Sequence, residues 1–269
     1  MYKIFKNISS ENDIKETIRY FNNLSKKIPI LKSQDNLGEF LYQRLTYNQI
    51  MSSNSIKDIL FNETLIKKIK ETIGDFYFIN YVHGKINSFG TNTHRDGQSF
   101  GYNYDGIKKS SNIIKVLFYF NKDFKEIPDG YGLDINLFDI NLKNIFLSKK
   151  IFMKLNYYYE NYLRKKKMKS LKMNVGDVVL MDNNCWHRGS INKNRPVKKK
   201  NYEIKKILLD YEIVTDKKIA LEYAKYVREY FIEKRGKLDE NYSENIDQNL
   251  LNSNHLKNFV KNNIEVLNV

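Results

Sequence analysis

This 269-residue sequence predicts a mainly β fold with flanking helices, arranged as a jelly roll. Three observations predict it. The chain carries 20 Tyr and 16 Phe, side chains that fit a pleated, half-buried surface. Apolar, β-branched runs recur through the middle, whereas helical spacing dominates towards the two ends. Chemistry-bearing residues far apart in sequence, His94 with Asp96 and then His187, suit a barrel in which distant strands meet at one mouth.

The elements follow in order. Ser10, with Asp13 three residues on, reads as a helix start, and Ile14, Ile18, Phe21 and Leu24 follow at helical spacing. A second helix starts near Asn62, carries Leu65, Ile66, Ile69 and Ile73, and ends at Gly74. Residues 1–75 are therefore expected to be a mainly helical elaboration. Residues 76–82 read as a strand, and residues 113–120 (IIKVLFYF) give the strongest strand signal. Residues 133–140 are a weaker strand, and residues 151–163 fit a helix with Ile151, Leu155, Tyr158 and Tyr159 on one face. Gly176-Asp177 is a turn into the apolar strand at 178–181, with His187 just beyond it. Residues 202–214 alternate as a long strand. Residues 219–231 form an amphipathic helix with Ala220, Tyr223, Ala224, Val227 and Phe231 inward. The last stretch is polar, Asn-rich and expected to be partly disordered. The simplest organisation is one domain: helical elaboration 1–75, jelly-roll core 76–214, helix and tail 215–269.

Composition narrows the function classes. Formal net charge is +15, so an anionic partner must be weighed. The lysines are spread along the chain, and runs such as 165–167 and 198–200 read as solvated loops rather than a nucleic-acid stripe. The charge favours an anionic small substrate. The single cysteine, Cys185, excludes an intramolecular disulfide and a Cys-based zinc cluster, and fits a reducing cytoplasm. No signal peptide is visible, and no apolar run approaches the roughly 20 residues of a membrane span.

Four histidines exist, at 83, 94, 187 and 255. On a strand, residues i and i+2 share a face, so His94 and Asp96 can hold one metal together. His187, from another strand folded over the first, would complete two imidazoles and one carboxylate, the ligand set of a facial-triad Fe(II) site. His83 and His255 have no partner pattern and read as structural or exposed. Phe100, Tyr102 and Tyr104 could line a pocket or pack in the core. Trp186 could shield the site. Cys185 reads as a small core residue. Ser190 and Asp177 show no nucleophile elbow, and no phosphate-binding Gly motif is present.

These stretches resemble the phytanoyl-CoA dioxygenase-like group of Fe(II)/2-oxoglutarate-dependent oxygenases, built on the double-stranded β-helix (jelly-roll, cupin-like) fold. The matching segments are Thr93-His94-Arg95-Asp96-Gly97, residues 116–121, residues 176–182, and His187-Arg188-Gly189-Ser190-Ile191-Asn192, with Arg195 shortly after. The similarity runs over about residues 76–214. It implies Fe(II) held by His94, Asp96 and His187, with 2-oxoglutarate and O2 as co-substrates. It also implies hydroxylation of a small molecule with release of succinate and CO2. Halogenating members lack the carboxylate that Asp96 supplies. The far carboxylate of 2-oxoglutarate would meet a basic residue on the last core strand. Arg195 is the first candidate, with Lys206 or Lys205 the alternative.

Rival readings are a jelly-roll binding protein without chemistry, a nucleic-acid-directed oxygenase, and a cupin-like enzyme that uses the metal without 2-oxoglutarate. The helical ends could form a homodimer interface or a lid.

Overall fold

The structure is a computed structural model. It describes residues 2–35, 37–90, 94, 96, 109, 111–121, 126–128, 131–136, 151, 154, 158, 162, 168–190, 195–229 and 261–267. Two antiparallel sheets face each other, as in a double-stranded β-helix. The strands are β1 (Tyr2–Phe5), β2 (Leu31–Asp35), β3 (Gly38–Leu45), β4 (Tyr77–Ile86), β5 (Ile113–Phe120), β6 (Leu133–Ile135), β7 (Lys169–Ser170), β8 (Val178–Asp182), β9 (His187–Gly189), β10 (Ile207–Val214) and β11 (Glu265–Leu267). The larger sheet runs β1-β8-β5-β10-β4-β3-β2. β11 adds in parallel beside the start of β4, and β3 pairs with its other end. The smaller sheet runs β7-β6-β9 and is extended by a bridge between His187 and His94.

Sequence dictates which face of the larger sheet does what. In β4, Phe78 and Val82 point to the outer face. There Phe78 meets Tyr211 of β10 and Phe61 edge-on, with ring centroids 5.3 and 5.5 Å apart. Edge-to-face pairs of this kind contribute about 0.5–1.5 kcal/mol beyond burial. The alternate residues, His83 and Lys85 of β4, Lys115 of β5, and Asp210 and Glu212 of β10, project towards the smaller sheet. Charge on the inner face and apolar bulk on the outer face fix the register, since a one-residue slip would exchange them.

The helices pack where their caps start them. In α1 (Glu11–Ser25) the Ser10 side chain accepts from the Asp13 N–H, and Ile14, Ile18 and Phe21 are buried. α2 (Tyr47–Met51) and α3 (Asn54–Leu60) follow the hairpin. α4 (Glu63–Ile73) has Asn62 as N-cap and ends at Gly74, whose φ of 81° suits glycine. α5 (Lys217–Val227) is capped by Asp216 and buries Ala220, Tyr223, Ala224 and Val227.

Several expectations are corrected. The first 75 residues are not mainly helical throughout: β1 edges the larger sheet beside β8, and the β2–β3 hairpin extends its other side. Those strands are short or carry charged residues, so their sequences give little periodic signal. The expected strand at 202–214 begins only at Ile207. The Asn87 side chain instead accepts from the Lys205 and Lys206 N–H groups and donates to the Glu203 carbonyl, replacing a ladder with a clamp. The tail contributes β11 and buries Ile264 and Leu267. The predicted helix at 151–163, Phe100, Tyr102, Tyr104, Phe231 and His255 lie wholly or largely outside the described residues.

Candidate metal centre

His94 and His187 are directly bridged. Each backbone N–H donates to the other's carbonyl at 2.9 Å. In an antiparallel pair the two side chains then share a face, and the imidazole centroids lie 4.4 Å apart. The second histidine thus comes from the adjacent strand, not from one folded across. Asp96 closes the group: its carboxylate oxygens lie 3.6 Å from His94 Nε2 and 3.4 Å from His187 Nε2. The three donor atoms fall within 4.8 Å of one another. With metal–ligand bonds of about 2.0–2.2 Å, three cis ligands need separations of about 3 Å, which small rotamer adjustments supply.

Two of the donors, His187 and Asp96, are held in the forms that bind a cation. The Cys185 carbonyl accepts from His187 Nδ1 at 3.0 Å, which leaves the Nε2 lone pair facing the pocket. Burial pushes the His187 imidazole down to about 4, against the pull of Asp96. Burial raises the Asp96 carboxyl, but Lys115, His187 and His94 reverse this and hold it well below the usual carboxylate range.

Lys115 links the triad to the sheet. Its ammonium donates to Asp96 at 2.7 Å and lies 3.8 Å from both Asp210 and Glu212. Asp210 also meets His83 Nδ1 at 3.3 Å. Glu212 accepts from Asn183 at 3.2 Å and from the Tyr223 hydroxyl of α5. Behind β9, Asp134 accepts from Ser170 and Ser190 at 2.6 Å and from Arg188 at 3.1 Å. Gly189 lets β9 approach its neighbour, since a Cβ there would meet the Gly90 carbonyl oxygen at 2.6 Å. Ser190 and Asp177 are not a pair: Asp177 holds Lys6 and the Asn7 and Asn174 N–H groups. Cys185 and Trp186 are buried beside His187.

Sequence reasoning missed Lys115, Asp210, Glu212, Asp134 and Asn87. A signal existed for the first three: a lone lysine in IIKVLFYF, and Asp and Glu at i and i+2 in ILLDYEIV. Charges on one face of an otherwise apolar strand need partners.

The two candidates for an anion partner have different surroundings. Arg195 Nη1 donates to both oxygens of Asp35, at 2.7 and 2.8 Å, and Nη2 donates to the Gly38 carbonyl at 2.8 Å. Its guanidinium locks the β2–β3 hairpin and is not brought to the triad. Lys206, clamped by Asn87 at the head of β10, is buried. Its ammonium lies 5.3 and 5.7 Å from the Tyr119 and Phe89 ring centroids, and the Gly132 carbonyl is 3.5 Å away. Among the described residues no carboxylate lies within ion-pair distance of it. Burial and the repulsion of Lys85 push it down to about 7, with Asp134 opposing. Lys205 points elsewhere, to Glu203 at 2.9 Å.

The fold is one that known metalloenzymes share. The non-haem α-ketoglutarate-dependent epimerase SnoN from nogalamycin biosynthesis superposes with a TM-score of 0.53 at 9% identity, over 80% of this chain and 77% of that one. SnoN in complex with Fe3+, α-ketoglutarate and nogalamycin RO gives 0.52 at 9% identity, over 79% and 78% of the chains. The α-ketoglutarate-dependent carbocyclase SnoK from the same biosynthesis gives 0.52 at 10% identity, over 80% of each chain. No family model matches the chain, and no curated protein matches it in sequence. No helix among the described residues is long and apolar enough to cross a membrane.

Proposed function

We propose that this protein is a cytoplasmic Fe(II)- and 2-oxoglutarate-dependent dioxygenase of the phytanoyl-CoA dioxygenase-like kind. It oxidises a small molecule with release of succinate and CO2. The observation that carries the reading is the convergence of His94, Asp96 and His187 from a double-stranded β-helix onto one point.

The donor set fits the ion: His94, Asp96 and His187 supply the two imidazoles and one carboxylate that would hold Fe(II). Fe(II) bound there supplies oxygen activation coupled to decarboxylation of the keto acid. This chain's residues do the rest. The Cys185 carbonyl keeps the His187 proton on Nδ1. Lys115 fixes one oxygen of Asp96 and orients its carboxylate. Buried Trp186 helps exclude water beside His187. Lys206 receives the far carboxylate of 2-oxoglutarate, because a buried cation with no acid partner among the described residues is costly until an anion neutralises it. Arg195, already engaged by Asp35, has the weaker claim to that role. Asp96 fills the place a halide would need, which favours hydroxylation over halogenation. Epimerisation and carbocyclisation on the same fold in SnoN and SnoK mark the range of outcomes open to this architecture.

The test is succinate formation from 2-oxoglutarate by protein reconstituted with Fe(II). Wild type should form succinate slowly even without its substrate, and His187→Ala should form none. Equal succinate from both would refute the ligand assignment.

A further inference from the structure

The face of the larger sheet that looks onto the triad carries a second charged feature. Arg44 of β3 stands opposite Lys85 of β4 in the antiparallel register. Both side chains therefore leave the same face, with Cβ atoms about 5 Å apart. It is the inner face, because His83, two residues before Lys85, meets Asp210 there. Like charges placed directly opposite each other destabilise a sheet unless a negative group lies between them. Among the described residues neither cation has a carboxylate within ion-pair distance. The acids around them are engaged: Asp210 with His83 and Lys115, Asp96 with Lys115, Asp134 with Arg188 and two serines, and Glu39 with Lys32.

Lys85 keeps substantial accessible surface, so a solute can reach it. Yet enclosure by protein pulls its pKa down, Asp210 restores part of it, and Lys115 and Arg44 lower it further.

We propose that Arg44 and Lys85 form a seat for an oxyanion, phosphate or carboxylate, carried by the substrate, beside the Lys206 seat of 2-oxoglutarate. The inference rests on the assignment of the triad and Lys206 made above. The chemistry is complementary: a planar guanidinium engages two oxygens of one anion while an ammonium adds a point charge. The path from the seat to the triad is short. Lys85 is one pleat from His83, His83 meets Asp210 at 3.3 Å, Asp210 lies 3.8 Å from Lys115, and Lys115 holds Asp96 at 2.7 Å.

The test titrates protein loaded anaerobically with Fe(II) and saturating 2-oxoglutarate with inorganic phosphate, and separately with acetate, by calorimetry. Wild type is compared with Arg44→Met, Lys85→Met and Lys206→Met. Wild type should bind phosphate saturably. Arg44→Met and Lys85→Met should bind it at least fivefold more weakly while keeping 2-oxoglutarate affinity within twofold. A phosphate preference over acetate identifies a phosphorylated substrate, and parity identifies a carboxylate. The proposal is overturned if wild type binds neither ion or if both variants bind phosphate as wild type does. It is also overturned if Lys85→Met loses 2-oxoglutarate as fully as Lys206→Met, which would give the cation to the co-substrate. The same titration on metal-free protein reads the seat independently. Phosphate binding that persists there, in a protein that never binds 2-oxoglutarate, would contradict the proposed enzyme class and not the seat.

Discussion

At Lys115 one ammonium faces three carboxylates, and only one of them, Asp96, belongs to the triad. Burial would strip the lysine of its proton, but Asp96, Asp210 and Glu212 together hold it firmly charged. A metal-binding carboxylate is commonly tethered in this way, and losing such a partner costs about 10–100-fold in metal affinity. Lys115→Met should therefore weaken Fe(II) or Co(II) binding by that order while leaving the secondary structure intact. Unchanged affinity by equilibrium dialysis would remove Lys115 from the centre. Lys206 gives a pH prediction. Its folded value of about 7 lies below the lysine reference of 10.5. The free protein therefore carries the charge below about pH 7 and loses it above. An anion binds the protonated form and raises its pKa. 2-Oxoglutarate affinity should thus fall as pH rises above 7, by about tenfold per unit until the pKa of the complex is reached. Lys206→Arg, with a side chain that stays charged, should flatten this dependence. A wild-type affinity constant from pH 7 to 9 would show that Lys206 is not the partner.

Among the elements, the β2–β3 hairpin shows how a sequence-derived role can be displaced by packing. Arg195 lies in the expected stretch after His187, but Asp35 occupies its fork and neither side chain is solvated. Removing one member of a buried pair strands the other, typically at about 3–5 kcal/mol. Arg195→Ala should lower thermal stability strongly and leave the 2-oxoglutarate requirement of the folded fraction unchanged. A raised requirement with unchanged stability would return the anion role to Arg195. The same element shows why part of the fold was hidden. Asp35 and Gly38 lie far from residue 195 in sequence and carry no motif, so only the tertiary fold reveals the pairing. By contrast, β5 and β8 were legible almost to the residue, because central strands buried on both faces read as apolar runs, broken in β5 only by Lys115. α1 and α4 were legible from their caps, and α5 from its amphipathic spacing. β1 was not, because an edge strand of four residues needs little pattern of its own.

For the whole molecule, the jelly roll follows from the problem the triad poses. His94 and His187 are distant in sequence, and the fold makes them backbone-bridged neighbours. The two histidines and Asp96 were readable because a His-x-Asp pair and a lone distal histidine after a Gly-Asp turn and an apolar strand form a pattern. The inner charged layer was only partly readable: Lys115, Asp210 and Glu212 stand out as charges in apolar strands, but their partners lie on other strands and only the fold brings them together. The net charge of +15 is a molecule-wide bias towards anions, and the inner face concentrates it where Lys85, Arg44 and Lys206 project.

The central claim, that His94, Asp96 and His187 hold iron and present it to 2-oxoglutarate, is tested most directly by an anaerobic titration of the purified protein with Fe(II) and 2-oxoglutarate, followed by visible absorption. Chelation of the keto acid to iron produces a weak charge-transfer band and requires no knowledge of the substrate. The band should appear in wild type and vanish in His187→Ala. Metal binding without the band would contradict the role of 2-oxoglutarate, and no metal binding at all would contradict the centre itself.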